Sequence, residues 1–376
     1  MRKVVFNATI LNDKPTGLGV YCNNVLSRID DSLLSYILYT DEFSRKNDIS
    51  SKDITLRCKS NSRIKSIILR NYSFKSWLKK NKNKLLFHYS PTQHGVTLKG
   101  IKQIITIHDL MPLYFPKGRI QQYIYYKYFL KRVIKNSELI ITCSNNTKND
   151  ILREYNVNPD KVKVVYNGFD RPKKVVNKEF SKKYIKSKYG IEDYIFMMGI
   201  HYEYKNLHSV IEAYDLLKDK IDNKIVIAGG YNGKYGQSLI NLVKQKKLED
   251  RIIFLGYIPN EDKDMLYQAA KLFVYPSKYE GFGLPVLEAM INETAVLCSN
   301  SSSLPEVVGD AAYKFDPYSI GDIKTAILNI LSLNEYEYEN YVKNGLKQTE
   351  KFSWEKCSSE IEDIIKSIIT QEDQIE

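Results

Sequence analysis

The chain is poor in cysteine. Five occur in 376 residues, Cys22, Cys58, Cys143, Cys298 and Cys357, and none is spaced C-x-x-C. Scattered, odd in number and without ligand spacing, they exclude a disulfide framework and a cysteine-held zinc site, and they point to reduced thiols in a cytosolic protein. Long apolar runs are missing as well. No stretch approaches the roughly 18 residues a helix needs to cross a bilayer. The opening "MRKVVFNATIL" breaks off too soon for a signal peptide and reads as a first strand. Low-complexity tracts are absent, and with 43% hydrophobic residues the chain has enough to bury sizeable cores. The last scarcity is local: between Arg57 and Lys84 there is no acidic residue, against ten Lys or Arg, in a chain of net charge +12.

That charge calls for an acidic partner. Ile64, Ile67, Ile68, Phe74, Trp77 and Leu78 recur at helical spacing inside the basic stretch. They predict a basic amphipathic helix. Lys65, Arg70, Phe74, Trp77, Lys79 and Lys80 are its candidate contacts to an anionic membrane or a lipid-linked acceptor, as a peripheral protein on the inner face of the plasma membrane would make. A helix docked on its own core with a solvated basic face explains the same residues. The run "YIYYKYFLKRVIK" (123–135) admits the same two readings. No nucleic-acid-binding motif accompanies the charge, and no nucleic-acid partner is expected.

What is present in quantity is alternation. Short β-branched runs ("VVFNA", "YILYT", "LLFHY", "QIITI", "LIITC", "KVVY") are separated by helical patterns. A second series follows residue 190 ("YIFMMG", "KIVIAGG", "IIFLGY", "LFVYPS", "AVLCS"). Strands alternating with helices imply parallel sheets covered on both faces. The polar, lysine-rich "DRPKKVVNKEFSKKY" separates the two series. The expected fold is α/β, with two Rossmann-like doubly wound domains, 1–172 and 173–350, facing a cleft, and ligands at the carboxyl ends of the strands. Ile361, Ile364, Ile365 and Ile368 mark a closing helix in 351–376.

The stretch "YEGFGLPVLEAM" (279–290) holds the most chemistry. Its glutamates, Glu280 and Glu288, are eight positions apart around two glycines and a proline. Pro285 suits a first helical turn, so Glu288 belongs to a helix and Glu280 to the loop before it. Gly281 and Gly283 admit a close backbone approach, and a helix start favours an anion such as a phosphate. A carboxylate beside a diphosphate would be repelled, so each glutamate is expected to accept hydrogen bonds from sugar hydroxyls. Complementarity with the helix dipole, worth about 0.3–1 kcal/mol, accounts for Glu288 alone.

"EGFGLPVLE" resembles the E-x7-E motif of the retaining glycosyltransferases of family four, which have the GT-B fold. Other segments resemble that family in order: "TGLGVYCNNVL", "ITIHDLMPLYFP", "ITCSNNTKNDI", "VKVVYNG", "GIHYEYKNL", "SSSLPEVVGDAAYKFDP" and the late "FSW". The resemblance implies that Glu288 bonds the nucleotide ribose and Glu280 the transferred sugar. The amides of Gly281, Phe282, Gly283 and Leu284 would hold sugar and diphosphate. Lys205 would neutralise the leaving diphosphate, and His108 would meet the donor sugar. Gly17 and Gly19 would let the first loop approach the phosphates, and the backbone of Ile258 would meet the base. Many members carry an Arg shortly before the Lys of the Lys-Asn pair; here "GIHYEYKN" has His201 near that place.

The implied reaction moves a hexose from a nucleotide-diphosphate sugar to a glycan or lipid-linked acceptor, in surface-polysaccharide biosynthesis, without cofactor or metal. Asp262-x-Asp264 sits at a helix start, where acids favour the dipole, and is not expected to bind a metal. A nucleotide-sugar epimerase or phosphorylase on the same fold, or a non-catalytic glycan- or lipid-binding module, stays open.

Overall fold

The computed structural model describes residues 3–12, 17–40, 52–56, 63–172, 177–199 and 202–374; His201 and the side chains of Lys65 and Arg70 lie outside that set. The chain forms two units. Met1–Gly168 together with Ser353–Glu376 make the first, and Phe169–Phe352 the second. The sequence pattern had placed these junctions at 172/173 and 350/351.

The first unit is built on seven strands: β1 (Lys3–Asn7), β2 (Tyr36–Thr40), β3 (Asp53–Leu56), β4 (Leu85–Ser90), β5 (Lys102–Ile107), β6 (Leu139–Thr142) and β7 (Val162–Val164). They pair in the order β3-β2-β1-β4-β5-β6-β7, and every pair is parallel. Strands buried on both faces read as continuous apolar runs, and the register sorts them. Val4, Phe6, Tyr89 and Ile104 point to one face, onto the helix Gly17–Leu26 and the closing helix Trp354–Asp373. Val5 faces the other way, with Phe74 and Leu78 of the helix Arg63–Asn81. Ile105, Ile107 and Ile140 share that second face with Tyr126 and Leu130.

The helix in the basic stretch therefore exists, but two of its expected membrane contacts are corrected. Phe74 is 3% exposed and meets the His88 ring edge-on at 5.2 Å. Trp77 packs against Tyr36 at 5.3 Å. Both rings face the sheet, because burying a Phe or Trp side chain there stabilises by about 1.5–3 kcal/mol. Lys79 and Lys80 remain exposed.

The second unit has six parallel strands: β8 (Tyr194–Met198), β9 (Lys224–Ala228), β10 (Ile252–Gly256), β11 (Leu272–Tyr275), β12 (Val296–Ser299) and β13 (Tyr313–Phe315), in the order β10-β9-β8-β11-β12-β13. Its core packs Ile195, Met197, Ile225, Ile227, Val274 and Leu297 against covering helices. Two other helices of this unit, Lys178–Tyr189 and Asn260–Ala269, are tied by one buried carboxylate. Asp262 is fully buried and accepts bonds from Tyr184 Oη at 2.9 Å, Lys188 Nζ at 2.7 Å and the Tyr189 hydroxyl. Burial alone would raise its pKa; the bonds from Lys188, Tyr189 and Tyr184 outweigh burial and hold the carboxyl below its ordinary value. Asp264 accepts from Asn292 Nδ2 at 3.4 Å. The D-x-D pair thus works as helix packing.

A carboxyl held below its unfolded pKa adds stability above that pKa, and the contribution disappears as pH falls below it. Asp262→Asn is accordingly expected to cost about 1.5–3 kcal/mol at pH 7, the range of one hydrogen bond to a charged group. Its gap from the parent protein should narrow below about pH 4, as read from urea midpoints across pH.

Candidate active site

In the second sheet the chain leaves β8 outward to β9 and β10, then crosses back to start β11 on the other side of β8. The reversal parts the loops after β8 and β11 at their carboxyl ends, which is where open parallel sheets bind ligands. Lys205 follows β8 and Glu280 follows β11. At the reversal they meet: Lys205 Nζ lies 2.6 Å from Glu280 Oε1. Tyr275, the last residue of β11, completes the group. Lys205 Nζ donates to Tyr275 Oη at 2.8 Å, and that hydroxyl donates to Glu280 Oε1 at 2.9 Å.

Local structure aims each member. Gly199 directly follows β8 with φ 97°, and Asn206 holds φ 62° directly after Lys205. Asn206 is fully buried; its Nδ2 donates to the Pro317 carbonyl at 2.8 Å and its Oδ1 accepts from Ser209 Oγ at 2.8 Å. The Asn of the Lys-Asn pair therefore pins the turn that presents Lys205. The loop bearing Glu280 is stitched by serines. Ser301 Oγ donates to the Lys278 carbonyl at 2.8 Å, Ser302 Oγ to the Glu280 carbonyl at 2.6 Å, and Ser303 Oγ to the Glu280 and Phe282 carbonyls at 3.0 Å each.

Electrostatics hold the group in one protonation state. Burial by itself would push Lys205 down. The Glu280 charge and the Tyr275 hydroxyl outweigh it, and the ammonium is held above its ordinary value. Burial, then the Glu280 charge, raise Tyr275 far above the usual phenol range. At neutral pH the site contains an ammonium cation and a neutral phenol.

The helix Leu284–Ile291 begins after Gly283 at φ 105° with proline in its first turn. A Cβ on Gly283 would come within 2.5 Å of Leu304 Cδ2, so the position excludes side chains by space and by backbone. The helix starts beside Glu280's loop, with the amides of Gly281, Phe282, Gly283 and Leu284 at its entry. Glu288 sits on that helix with its own partners: Lys263 Nζ at 2.7 Å and Tyr267 Oη at 3.1 Å. The two glutamates are thus separately anchored, Glu280 to Lys205 and Tyr275, Glu288 to Lys263 and Tyr267. Ile258 follows β10 and is half-buried; Gly256 before it has φ 70°, and its carbonyl accepts from Gly229 N at 2.8 Å.

In the first unit His108 follows β5. Its Nε2 lies 3.0 Å from the Pro91 carbonyl, so Nε2 carries the proton and Nδ1 is left as an acceptor. Burial lowers its pKa to about 4, leaving a neutral ring at pH 7. The Tyr21 ring meets it edge-on at 4.5 Å. The His108 carbonyl accepts from Cys143 Sγ at 3.1 Å and Thr147 Oγ1 at 3.4 Å, which gives "ITCSNNT" its role of fixing this turn. Gly17 and Gly19, expected in a loop, stand in the first turn of the helix Gly17–Leu26, Gly17 exposed and Gly19 buried.

Sequence reasoning missed Tyr275, Lys263, Tyr267 and the Ser301–Ser303 stitches. Tyr275 had one usable signal, a polar-tipped residue closing an apolar strand next to the motif. Lys263 and Tyr267 had none, since their partner lies more than twenty positions away.

Comparisons with known proteins give the family and the fold. Residues 179–348 match the family described as Glycosyl transferases group 1, and residues 16–172 match Glycosyltransferase Family 4. O-antigen chain mannosyltransferase B of Escherichia coli is 35% identical over 267 residues, 69% of this chain and 68% of that protein. O-antigen chain mannosyltransferase RfbU of Salmonella typhimurium is 28% identical over 353 residues, 90% and 94% of the two chains. Among solved structures, sucrose-phosphate synthase from Thermosynechococcus elongatus superposes with a TM-score of 0.74 at 17% identity, over 99% of this chain and 100% of that one. Anabaena Alr3699/HepE in complex with UDP and glucose gives 0.71 at 15% identity, over 98% and 100%. At these identities the structural matches establish the shared fold, GT-B.

Proposed function

The chain belongs to the group 1, family 4 glycosyltransferases, and from that membership we propose that it transfers a hexose from a nucleotide-diphosphate sugar to a hydroxyl of a growing surface polysaccharide or lipid-linked glycan, with retention at the anomeric carbon and without a metal. The two O-antigen mannosyltransferases among its relatives make mannose the first sugar to test. The observation that carries the proposal is the Lys205–Tyr275–Glu280 group at the strand-order reversal, beside a helix start.

A diphosphate leaving group carries the largest charge the reaction must stabilise. A buried, permanently charged ammonium and the amino end of a helix are preorganised for it in a site of low dielectric. Lys205 supplies the point charge that a divalent ion supplies elsewhere. Glu280 does two things: it aims Lys205, and its second oxygen accepts from the sugar's hydroxyls when donor binds. Glu288, aligned by Lys263 and Tyr267, accepts from the ribose. The departing phosphate oxygen takes the acceptor's proton as the acceptor attacks from the same face, so no separate general base is needed. Neutral His108, with Nδ1 an acceptor, orients the donor sugar.

Incubation with GDP-, UDP- and dTDP-sugars, with EDTA and without acceptor, tests this directly. Slow release of sugar that survives EDTA is expected from one donor. Its nucleotide at about 100 times its dissociation constant should stabilise the fold by about 2.7 kcal/mol. Interconversion of sugar nucleotides would mean an epimerase, and unchanged donors with no thermal shift would mean a non-catalytic module.

A further inference from the structure

Each carboxylate of the 280–288 motif is held by one lysine and one tyrosine, but the two holders are built differently. At Glu280 both partners converge on one oxygen. Lys205 Nζ is 2.6 Å from Glu280 Oε1 and 2.8 Å from Tyr275 Oη, and Tyr275 Oη is 2.9 Å from the same Oε1. The three atoms close a triangle. At Glu288 the partners divide: Lys263 Nζ bonds Oε1 at 2.7 Å and Tyr267 Oη bonds Oε2 at 3.1 Å. Lys263 and Tyr267 stand four positions apart on the helix Asn260–Ala269 and share a face of it.

The triangle fixes a direction. An ammonium has three N–H donors. Two of those on Lys205 are bound inside the triangle, and the third has no partner among the described residues. Glu280 Oε2 likewise has none. The lysine is confined on other sides as well. Its side chain is 16% exposed, and Nζ lies 5.5 Å from the centre of the Tyr204 ring and 5.2 Å from that of Tyr275. With two contacts fixed, the remaining N–H has one direction. Without Tyr275 Oη the ammonium can pivot about Oε1 or bridge to Oε2, the oxygen the sugar needs. The tyrosine ring itself is held in place: it is buried and stacks on Phe273 at 5.8 Å, which meets Tyr267 edge-on at 5.0 Å. Phenylalanine would pack there equally well, so packing does not explain the hydroxyl.

We propose that Tyr275 is a positioning residue for departure of the diphosphate, aiming the third N–H of Lys205, whereas Tyr267 positions Glu288 for nucleotide binding alone. The proposal rests on the transfer reading above. As the bond from the anomeric carbon to the diphosphate oxygen breaks, its electron pair stays on that oxygen. The acceptor oxygen bonds the carbon, and its proton passes to the diphosphate. Charge on the diphosphate grows only in this step, so a misaimed Lys205 costs more there than in donor binding. Ribose is held alike before and during the step, so a loosened Glu288 weakens binding uniformly.

The test makes one substitution at three places. Tyr275→Phe, Tyr267→Phe and the control Tyr194→Phe each delete a buried hydroxyl while keeping the ring; Tyr194 Oη donates to the Leu266 carbonyl at 2.7 Å. Urea midpoints give the cost to stability that the three share. With the donor found in the panel of GDP-, UDP- and dTDP-sugars, Tyr275→Phe should lower kcat by about ten- to a hundredfold and keep KM within about threefold. Tyr267→Phe should raise KM by about five- to tenfold at nearly constant kcat, and Tyr194→Phe should change neither. Calorimetry with pyrophosphate needs no turnover. It carries the charge of the departed group, so Tyr275→Phe should bind it at least about fivefold more weakly than the parent protein, and Tyr267→Phe as tightly. A parent protein that turns over no donor overturns the transfer reading, and the pyrophosphate affinities still decide the role of Tyr275. Equal kinetic losses in Tyr275→Phe and Tyr194→Phe, a change in KM alone for Tyr275→Phe, or pyrophosphate binding that is absent from the parent or intact in Tyr275→Phe overturns the proposal.

Discussion

Lys205→Met is expected to remove transfer, lowering turnover by at least about 10²–10³, the loss typical of deleting one preorganised stabiliser of developing charge. It should also destabilise the second unit. The Lys205 and Glu280 side chains are both largely buried and 2.6 Å apart, and removing one partner of such a pair leaves an uncompensated charge, at a cost of about 3–5 kcal/mol. Low activity could then be blamed on unfolding, and the double variant separates the two. Lys205→Met with Glu280→Gln removes both charges while keeping similar volumes, so stability should return most of the way. Activity should not return. Urea midpoints and donor turnover on the two single variants and the double one give the full cycle. Recovery of turnover along with stability would show that the pair only holds the fold. The pH dependence adds a check. An ammonium held above its ordinary value contributes stability fully below that value and loses it only as pH rises beyond it. Between pH 6 and 9 the parent protein should therefore keep this contribution undiminished.

The parallel sheets, their two series and the closing helix were legible because each rests on local signals: β-branched runs, helical spacing and the isoleucines at 361, 365 and 368. The loop and helix positions of Glu280 and Glu288 followed from Pro285 for the same reason. What sequence could not supply was pairing across distance. Reading each glutamate as a ligand for hydroxyls was local reasoning, whereas the Lys205–Glu280 contact exists only because the strand order reverses between β8 and β11. Phe74 and Trp77 misled in the other direction. An apolar stripe on a basic helix looks the same whether it meets lipid or its own sheet, and only the packing against Val5 and Leu38 decides. The serines at 301–303 stood in the sequence only as the start of "SSSLPEVVGDAAYKFDP"; that their hydroxyls bond the carbonyls of Lys278, Glu280 and Phe282 depends on the fold.

The other large effect is expected in the first unit. A Cβ on Gly168 would lie 2.2 Å from Trp354 N and 2.5 Å from its Cα. Both are backbone atoms, so no side-chain rotation relieves the clash. Overpacking commonly costs about 1–3 kcal/mol, and here the whole start of the closing helix must shift, so Gly168→Ala should cost about 3 kcal/mol or more. Gly233→Ala, with nothing within 4 Å of the added carbon, should change stability by less than about 1 kcal/mol. Denaturant midpoints compare the two, and Trp354 emission should shift to the red only in the first. The consequence should reach the site. Trp354 packs on Tyr21 at 6.1 Å and Tyr21 on the His108 ring at 4.5 Å, so a displaced helix frees the ring that keeps His108 buried. With its burial relieved, the pKa of about 4 should climb toward the ordinary histidine value near 6.5, visible in the titration of the imidazole resonances. A Gly168→Ala protein that is destabilised yet keeps the low His108 pKa would show that the closing helix and the histidine are held independently.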